Sequence, residues 1–467
     1  MNRMLYLKKR KVNRFIFFCL SVVLLSGSFH TNRYKVVYQD WFADFSKSSE
    51  SLVIGRLLYS EHQGIIAGGG LTGRVLPEAN GTDEVSYQYE AYLNNATIEN
   101  TKYAAYKTQP GGQGMIFSIL NQVSPFNPEV NLFLFQGITA LLTASAFSFF
   151  LLWVWNRFNF TTTVVCLILV FFSPWITVFG RIMWWQLWAF YLPFLSLLFF
   201  LNKEFNQKNN PESQTLFTLF WIAALSLGIK CWVNGFEYIS TTLLMFCIPL
   251  LLYFFLGKWK LLFALKRLAA LVAGALCALT LNVLLLSYQI ALYESSSLKS
   301  GLNHILYSFF KRSTKSEYTF TTAISKSLEA GQLEVLSKYL KGAAFGITQA
   351  FDAVQVGFFT ISFAKLFLLF FVGSILCFLA RKTIDSMIPT KIVPFIAVTW
   401  VSILAPLSWH ILFKGHSYLH VHLNFIVWYM PFCLFGFVIT GILLSTYGSL
   451  AWNKIRAKTS AKTEHNP

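Results

Sequence analysis

The chain has 467 residues, 55% hydrophobic and 12% charged, with a mean hydropathy of +0.53. A soluble domain carries about 25% charged residues, so this composition excludes a water-soluble enzyme and points to a protein of the bilayer. The net charge of +18 does not imply nucleic acid, because most Lys and Arg lie in short loops at the ends of apolar runs, where they set orientation and meet anionic headgroups.

In chain order, residues 1–14 are basic (Arg3, Lys8, Lys9, Arg10, Lys11, Arg14) and residues 15–29 apolar. That outline suits a signal peptide or an uncleaved first helix. The uncleaved helix is the expectation, and in both cases the following segment lies outside. A spanning helix needs about 20 apolar residues. Runs near that length fall at 15–31, 131–154, 162–179, 183–201, 215–231, 237–256, 265–290, 362–380, 392–413 and 424–446.

The expected fold is an all-α polytopic membrane protein, a bundle of about ten transmembrane helices with two large outer loops. Its parts are the basic N terminus and first helix (1–31), the first outer loop (32–130), the bundle (131–290), the second outer loop (291–361), the C-terminal helices (362–446) and a tail (447–467). The cation-rich short loops hold Arg157, Lys203 and Lys208, then Lys258, Lys260, Lys266 and Arg267, then Arg381, Lys382 and Lys391. The tail adds Lys454, Arg456, Lys458 and Lys462. The positive-inside rule then puts both termini in the cytoplasm of a multi-pass cell-membrane protein. The seven cysteines are scattered, without a CxxC pair, and read as small core residues.

The first outer loop opens with Tyr38 to Arg56, which carries Asp40, Asp44 and Glu50 just beyond the first helix. Such acids deprotonate a hydroxyl acceptor, or hold a divalent cation against phosphate oxygens; the plainer alternative is solvated charges or helix caps. Ser51 to Tyr59 has helical spacing and suits a short interfacial helix holding Glu50 and Arg56 near headgroups. Gly64, Gly68, Gly69, Gly70 and Gly73 match no phosphate fingerprint and read as a flexible loop. In Thr108-Gln-Pro-Gly-Gly-Gln-Gly114 the proline fixes a turn and the glycines permit close backbone approach. It is a substrate-lining loop or a plain turn, with Gln109 the polar side chain offered. Asn80 and Asn95 head glycosylation sequons, which matter only in a eukaryotic secretory pathway.

Further on, Arg181 lies beside Trp184 and Trp185 in a short outer turn. It is an interfacial anchor or a fork for a lipid phosphate. Lys230 and Glu237 bracket another turn, and either pair or offer Lys230 to the same phosphate. The second outer loop holds Lys311, Arg312, Lys315 and Lys326, then a helix-like run from Leu328 to Ala344. Last come His416, His420 and His422. At i, i+4 the first two would share a helix face as contacts for phosphate or sugar, a metal site or an interfacial belt. No HExxH is present, so no metal ligand is assigned.

The layout of residues 15–260 resembles the GT-C superfamily of membrane glycosyltransferases. Val53-Ile-Gly-Arg56 with Gly64, and the single-proline turn at Gln109-Pro110, are similar to that family's first outer loop. The resemblance implies a polyprenyl-phosphate-sugar donor, an acceptor that is an envelope glycan, lipid or protein, and an acidic base or metal contact after the first helix. Asp44 then takes the base's role, with Asp40 and Glu50 as alternates. Arg56, Gln109, Arg181, Lys230, His416, His420 and His422 would hold substrate or phosphate. The family's adjacent acidic pair is missing: Lys47 and Ser48 stand in its place. Three rivals stand beside this reading: a glycan polymerase or ligase working through outer Arg and His, a lipid-linked glycan flippase, and an inactive envelope scaffold. The scarcity of intramembrane charge counts against the flippase.

Overall fold

The computed structural model describes residues 2–77, 83–98, 101–207, 212–313, 321–346 and 360–463. The Asn80 sequon, Lys208 and Lys315 lie outside these residues. The protein is helical, with only two small two-stranded sheets among the described residues. Among the described residues, seven helices are long and apolar enough to cross a membrane: Val12–Thr31, Pro128–Arg157, Gln214–Asn234, Ile239–Gly257, Leu261–Glu294, Ile392–Leu412 and Phe432–Arg456. The bent pair Phe363–Leu379 and Arg381–Met387, angled at 84°, gives up to eight.

Three expected spans behave otherwise. The run 162–179 divides into Phe160–Phe171 and Pro174–Phe179, because a proline disfavours helix at the residue before it. Expected span 183–201 is the continuous helix Leu187–Asn206, which keeps Pro193 within it and ends in the polar run Asn202, Lys203 and Glu204; it falls outside the seven. The expected span 424–446 starts later, at Phe432, after a short 3-10 turn over Phe425–Tyr429.

Within the bundle, Val12–Thr31 packs on Pro128–Arg157, where Ser21 Oγ donates to Ser148 Oγ at 2.9 Å. Small hydroxyls of this kind let apolar helices approach closely and tie them together. Gln214–Asn234 lies along Leu261–Glu294, and Ile239–Gly257 lies against Leu187–Asn206 and Leu404–Leu412. At the end opposite the long loops, Arg267 grips Glu204 with two hydrogen bonds, 2.7 and 2.5 Å, and stacks on Trp259 and Phe263.

The first long loop is a folded cap. Its central helix, Lys47–Gln63, exceeds the expected Ser51–Tyr59 and is enclosed instead of lying free on an interface. Val53, Ile54, Leu57 and Leu58 are fully buried against Glu84–Leu93, Gly112–Val123 and the strand Gly73–Pro77. That strand pairs antiparallel with Thr101–Ala105, Val75 opposite Tyr103. The glycine-rich patch touches the bundle: Gly69 has φ +68°, and a side chain there would collide with the Gln289 carbonyl. In the second loop, the amphipathic helix Leu298–Arg312 folds back along Leu261–Glu294. The helix-like run resolves into Thr322–Glu329 and Gln332–Lys341.

Candidate functional site

Two buried carboxylates stand at the loop end. Glu50 is 2% exposed and both its oxygens are used. Oε1 accepts from the Met183 backbone N–H at 3.0 Å, and Oε2 from Gln136 at 3.1 Å and Tyr89 at 3.4 Å. Burial raises its pKa above the ordinary carboxylate value, against the pull of nearby Arg181. Arg181 donates to Gln136 Oε1 at 3.3 Å and the Phe42 carbonyl at 3.1 Å, with its guanidinium 4.2 Å over the Phe42 ring. The cluster pins the cap to the bundle. It lines none of the cavities described below.

Glu237 is placed differently. Lys230 is fully buried, and its Nζ donates to the carbonyls of Gly235 (2.9 Å) and Glu237 (2.6 Å). It therefore clamps the turn after Gln214–Asn234 and does not pair with the Glu237 carboxylate. Gly235, at φ +56°, lets Gln109 pack directly on that turn. Glu237 Oε1 instead meets Arg312 at 2.9 Å, and Oε2 lies 4.0 Å from His416 Nε2. Burial opposes the charge on Arg312, but Glu237 and Tyr106 outweigh it and raise its pKa.

Arg312 and His416 form one wall of a cavity of about 310 Å³ lined also by Lys107, Thr108, His304, Lys311 and His420. Burial pushes His416 well below the ordinary histidine value, and Arg312 and His420 push the same way. His420 and His304 are lowered too, first by burial. Burial thus disfavours the charged form of all three imidazoles. Around this wall, Thr108 Oγ1, Gln109 Nε2, Glu237 Oε2 and His416 Nδ1 are buried without a hydrogen-bond partner among the described residues. Each costs about 1–3 kcal/mol, and such groups are retained where a polar ligand or water completes them.

A second cavity of about 370 Å³ adjoins the first and shares Lys107, Thr108, Ser308 and Arg312 with it. Its remaining walls are apolar: Ile239, Leu243, Val283, Leu286, Trp409 and Phe413 among them. The pair sets a cationic chamber beside a greasy groove between bundle helices.

The expected site residues thus divide. His416 and His420 line the chamber, their rings 4.9 Å apart. They do not share a helix face, because helix Lys414–Leu419 stops before His420. His422 lies beyond it, against Phe45. Lys230 and Gln109 stand behind the wall. Arg181 joins Glu50. Arg56 is spent on the carbonyls of Ala67 (2.6 Å), Leu71 (3.4 Å), Gly64 (3.5 Å) and Ile65, holding the glycine loop; no cation is left there for a phosphate. Asp40 is exposed, and Asp44, 55% exposed, pairs with Lys47 one turn on at 2.6 Å.

Lys107 and His304 have no place in the sequence-based expectations, and Lys311, Arg312 and Glu237 were noted there without a site role. Adjacent cations at Lys311-Arg312 were a signal, but cations at a helix C terminus also serve its dipole, so the pattern did not discriminate.

A divalent cation does not fit this chamber. Its lining is cationic, and the carboxylates nearest it, Glu237 and Glu294, are paired with Arg312 and Lys107. Among the described residues, no group of three or more His, Cys, Asp or Glu could hold a metal. Comparison with protein-family models, curated proteins and solved structures finds no match.

Proposed function

We propose that this protein is a membrane glycosyltransferase that takes a sugar from a polyprenyl-phosphate carrier and passes it to an envelope glycan, lipid or protein outside the cell. One observation carries the reading: the cationic chamber and the apolar groove share four lining residues. That shape suits an amphiphile with an anionic head and an isoprenoid tail. In this reading the loop end faces outward and both termini are cytoplasmic. Helices Leu187–Asn206 and Phe160–Phe171 with Pro174–Phe179 would bring the crossings to about ten.

Lys107, Lys311 and Arg312 would neutralise the charge gathering on the departing phosphate. The acceptor hydroxyl must lose a proton, and of the three imidazoles lining the chamber we assign that role to His416, the one beside Glu237. Glu237 holds Arg312 and His416 in place from behind. This arrangement moves the centre of the chemistry away from Asp44, Asp40 and Glu50, the sequence-based choices for the base.

The test is sugar transfer from radiolabelled polyprenyl-phosphate sugars to an envelope extract, with protein in lipid. Lys311→Ala and His416→Gln should each lower transfer by about tenfold or more, while Asp44→Asn retains it. Transfer lost in folded Asp44→Asn but retained in the chamber variants would overturn the assignment. A glycan polymerase or ligase is the second reading, favoured by a lining of Arg, Lys and His with its carboxylate set behind. It would retain activity in Glu237→Gln.

A further inference from the structure

We propose that the carrier's tail continues down a second groove on the same seam, making this a site selective for long-chain over short-chain isoprenoid phosphates. The inference rests on the reading that a lipid phosphate fills the chamber.

The second groove, about 320 Å³, is lined by Leu244, Cys247, Leu251, Leu265, Leu268 and Leu404 among others, all apolar. It belongs to the same three helices as the first groove: Ile239–Gly257, Leu261–Glu294 and the stretch ending at Phe413. On Ile239–Gly257 the two linings abut, Leu243 in the upper and Leu244 in the lower. On Leu404–Leu412, one turn separates Trp409 above from Ala405 below, and on Leu261–Glu294 about three turns separate Leu279 above from Leu268 below, so the grooves meet along Ile239–Gly257 and Leu404–Leu412. Together they run from Ile239 to Phe254, about 22 Å at 1.5 Å per residue. That is most of the roughly 30 Å hydrocarbon core.

Leu244, Leu265 and Leu404 are 41%, 49% and 55% exposed, so the lower groove is open along its side. A chain anchored by its phosphate in the chamber passes through the upper groove first and enters the lower only if long enough. Bilayer tails are as apolar as leucine, so a prenyl chain gains no hydrophobic energy by leaving them. Selection must come from packing of the branched chain into a fixed seam, and the effect is accordingly modest.

The experiment uses the full chain in lipid nanodiscs, with affinities from native mass spectrometry and melting temperature as the folding control. The probes are undecaprenyl phosphate, farnesyl phosphate and undecaprenol. Wild type should bind undecaprenyl phosphate about three- to tenfold more tightly than farnesyl phosphate. Ala264→Trp, which fills the lower groove, should remove that preference and leave farnesyl phosphate unchanged. Leu265→Trp, at a more open position, serves if Ala264→Trp does not fold. Lys311→Ala should weaken both phosphates alike. Equal affinities in wild type, or a preference untouched by both tryptophans, would overturn the tail's path and leave the chamber standing. Phosphates binding no better than undecaprenol would overturn the chamber and the inference together.

Discussion

Glu50 and Glu237 are both buried carboxylates at the loop end, each near an arginine, yet they serve different ends. Glu50 has both oxygens filled by Met183, Gln136 and Tyr89, and it is closed on every side by cap and bundle. Glu237 gives one oxygen to Arg312 and leaves the other without a hydrogen bond among the described residues, behind the wall of a cationic chamber. Burial alone therefore does not mark a site. A partly satisfied carboxylate beside a cavity does, because its remaining capacity is available to a ligand or to the groups that hold one.

The comparison breaks most readily at Glu50. Glu50→Ala leaves a backbone donor and Arg181 uncompensated inside the protein, and should cost about 3 kcal/mol of stability, seen as a lower melting temperature in lipid. An unchanged melting temperature would deny it a structural role. Glu237→Gln should cost less, about 1–2 kcal/mol, because an amide still accepts from Arg312. With the competing anion gone, polyprenyl-phosphate affinity should rise about fivefold while sugar transfer falls. A fall in affinity would mean that Glu237 binds substrate directly.

Acid sharpens the contrast. His416 and His420 lie below the ordinary value of 6.5. The unfolded chain thus takes up protons in a window just under 6.5 where the folded chain resists, and their contribution to stability falls as pH drops through it. Phosphate binding follows the opposite course, since a bound anion favours the protonated imidazole. Affinity should rise severalfold on acidification below 6.5, and His420→Gln should flatten that rise. Glu50 has the reverse sign: its raised pKa means that its contribution declines as pH rises above 4.5. The smallest effects belong to Asp40→Asn and Asp44→Asn, within about 0.5 kcal/mol in stability and without loss of transfer.

Much of the architecture was legible from hydrophobic run length, because a bilayer demands it: the first helix and the runs at 131–154, 237–256 and 265–290 all stand close to where the sequence placed them. One exception lies at a proline, where local backbone geometry overrides hydropathy: the break before Pro174. Another, Leu187–Asn206, is a continuous helix whose last turn is polar. The small sheet in the cap was missed because Gly73–Pro77 and Thr101–Ala105 are short, separated strands that pair only inside a folded loop.

The site was less legible, for a general reason. Sequence shows which residues can carry charge and, by periodicity, which stretches meet lipid. It could nominate His416 and His420, but it could not say that Arg56 would spend itself on carbonyls, that Lys230 would clamp a backbone turn, or that Glu237 would reach across to Arg312 seventy-five positions later. Those outcomes depend on which helices become neighbours, and in lipid that is settled by packing and hydrogen bonding between surfaces that are all alike apolar. Composition determined that this chain lives in a membrane; only the tertiary structure decided where its charges meet.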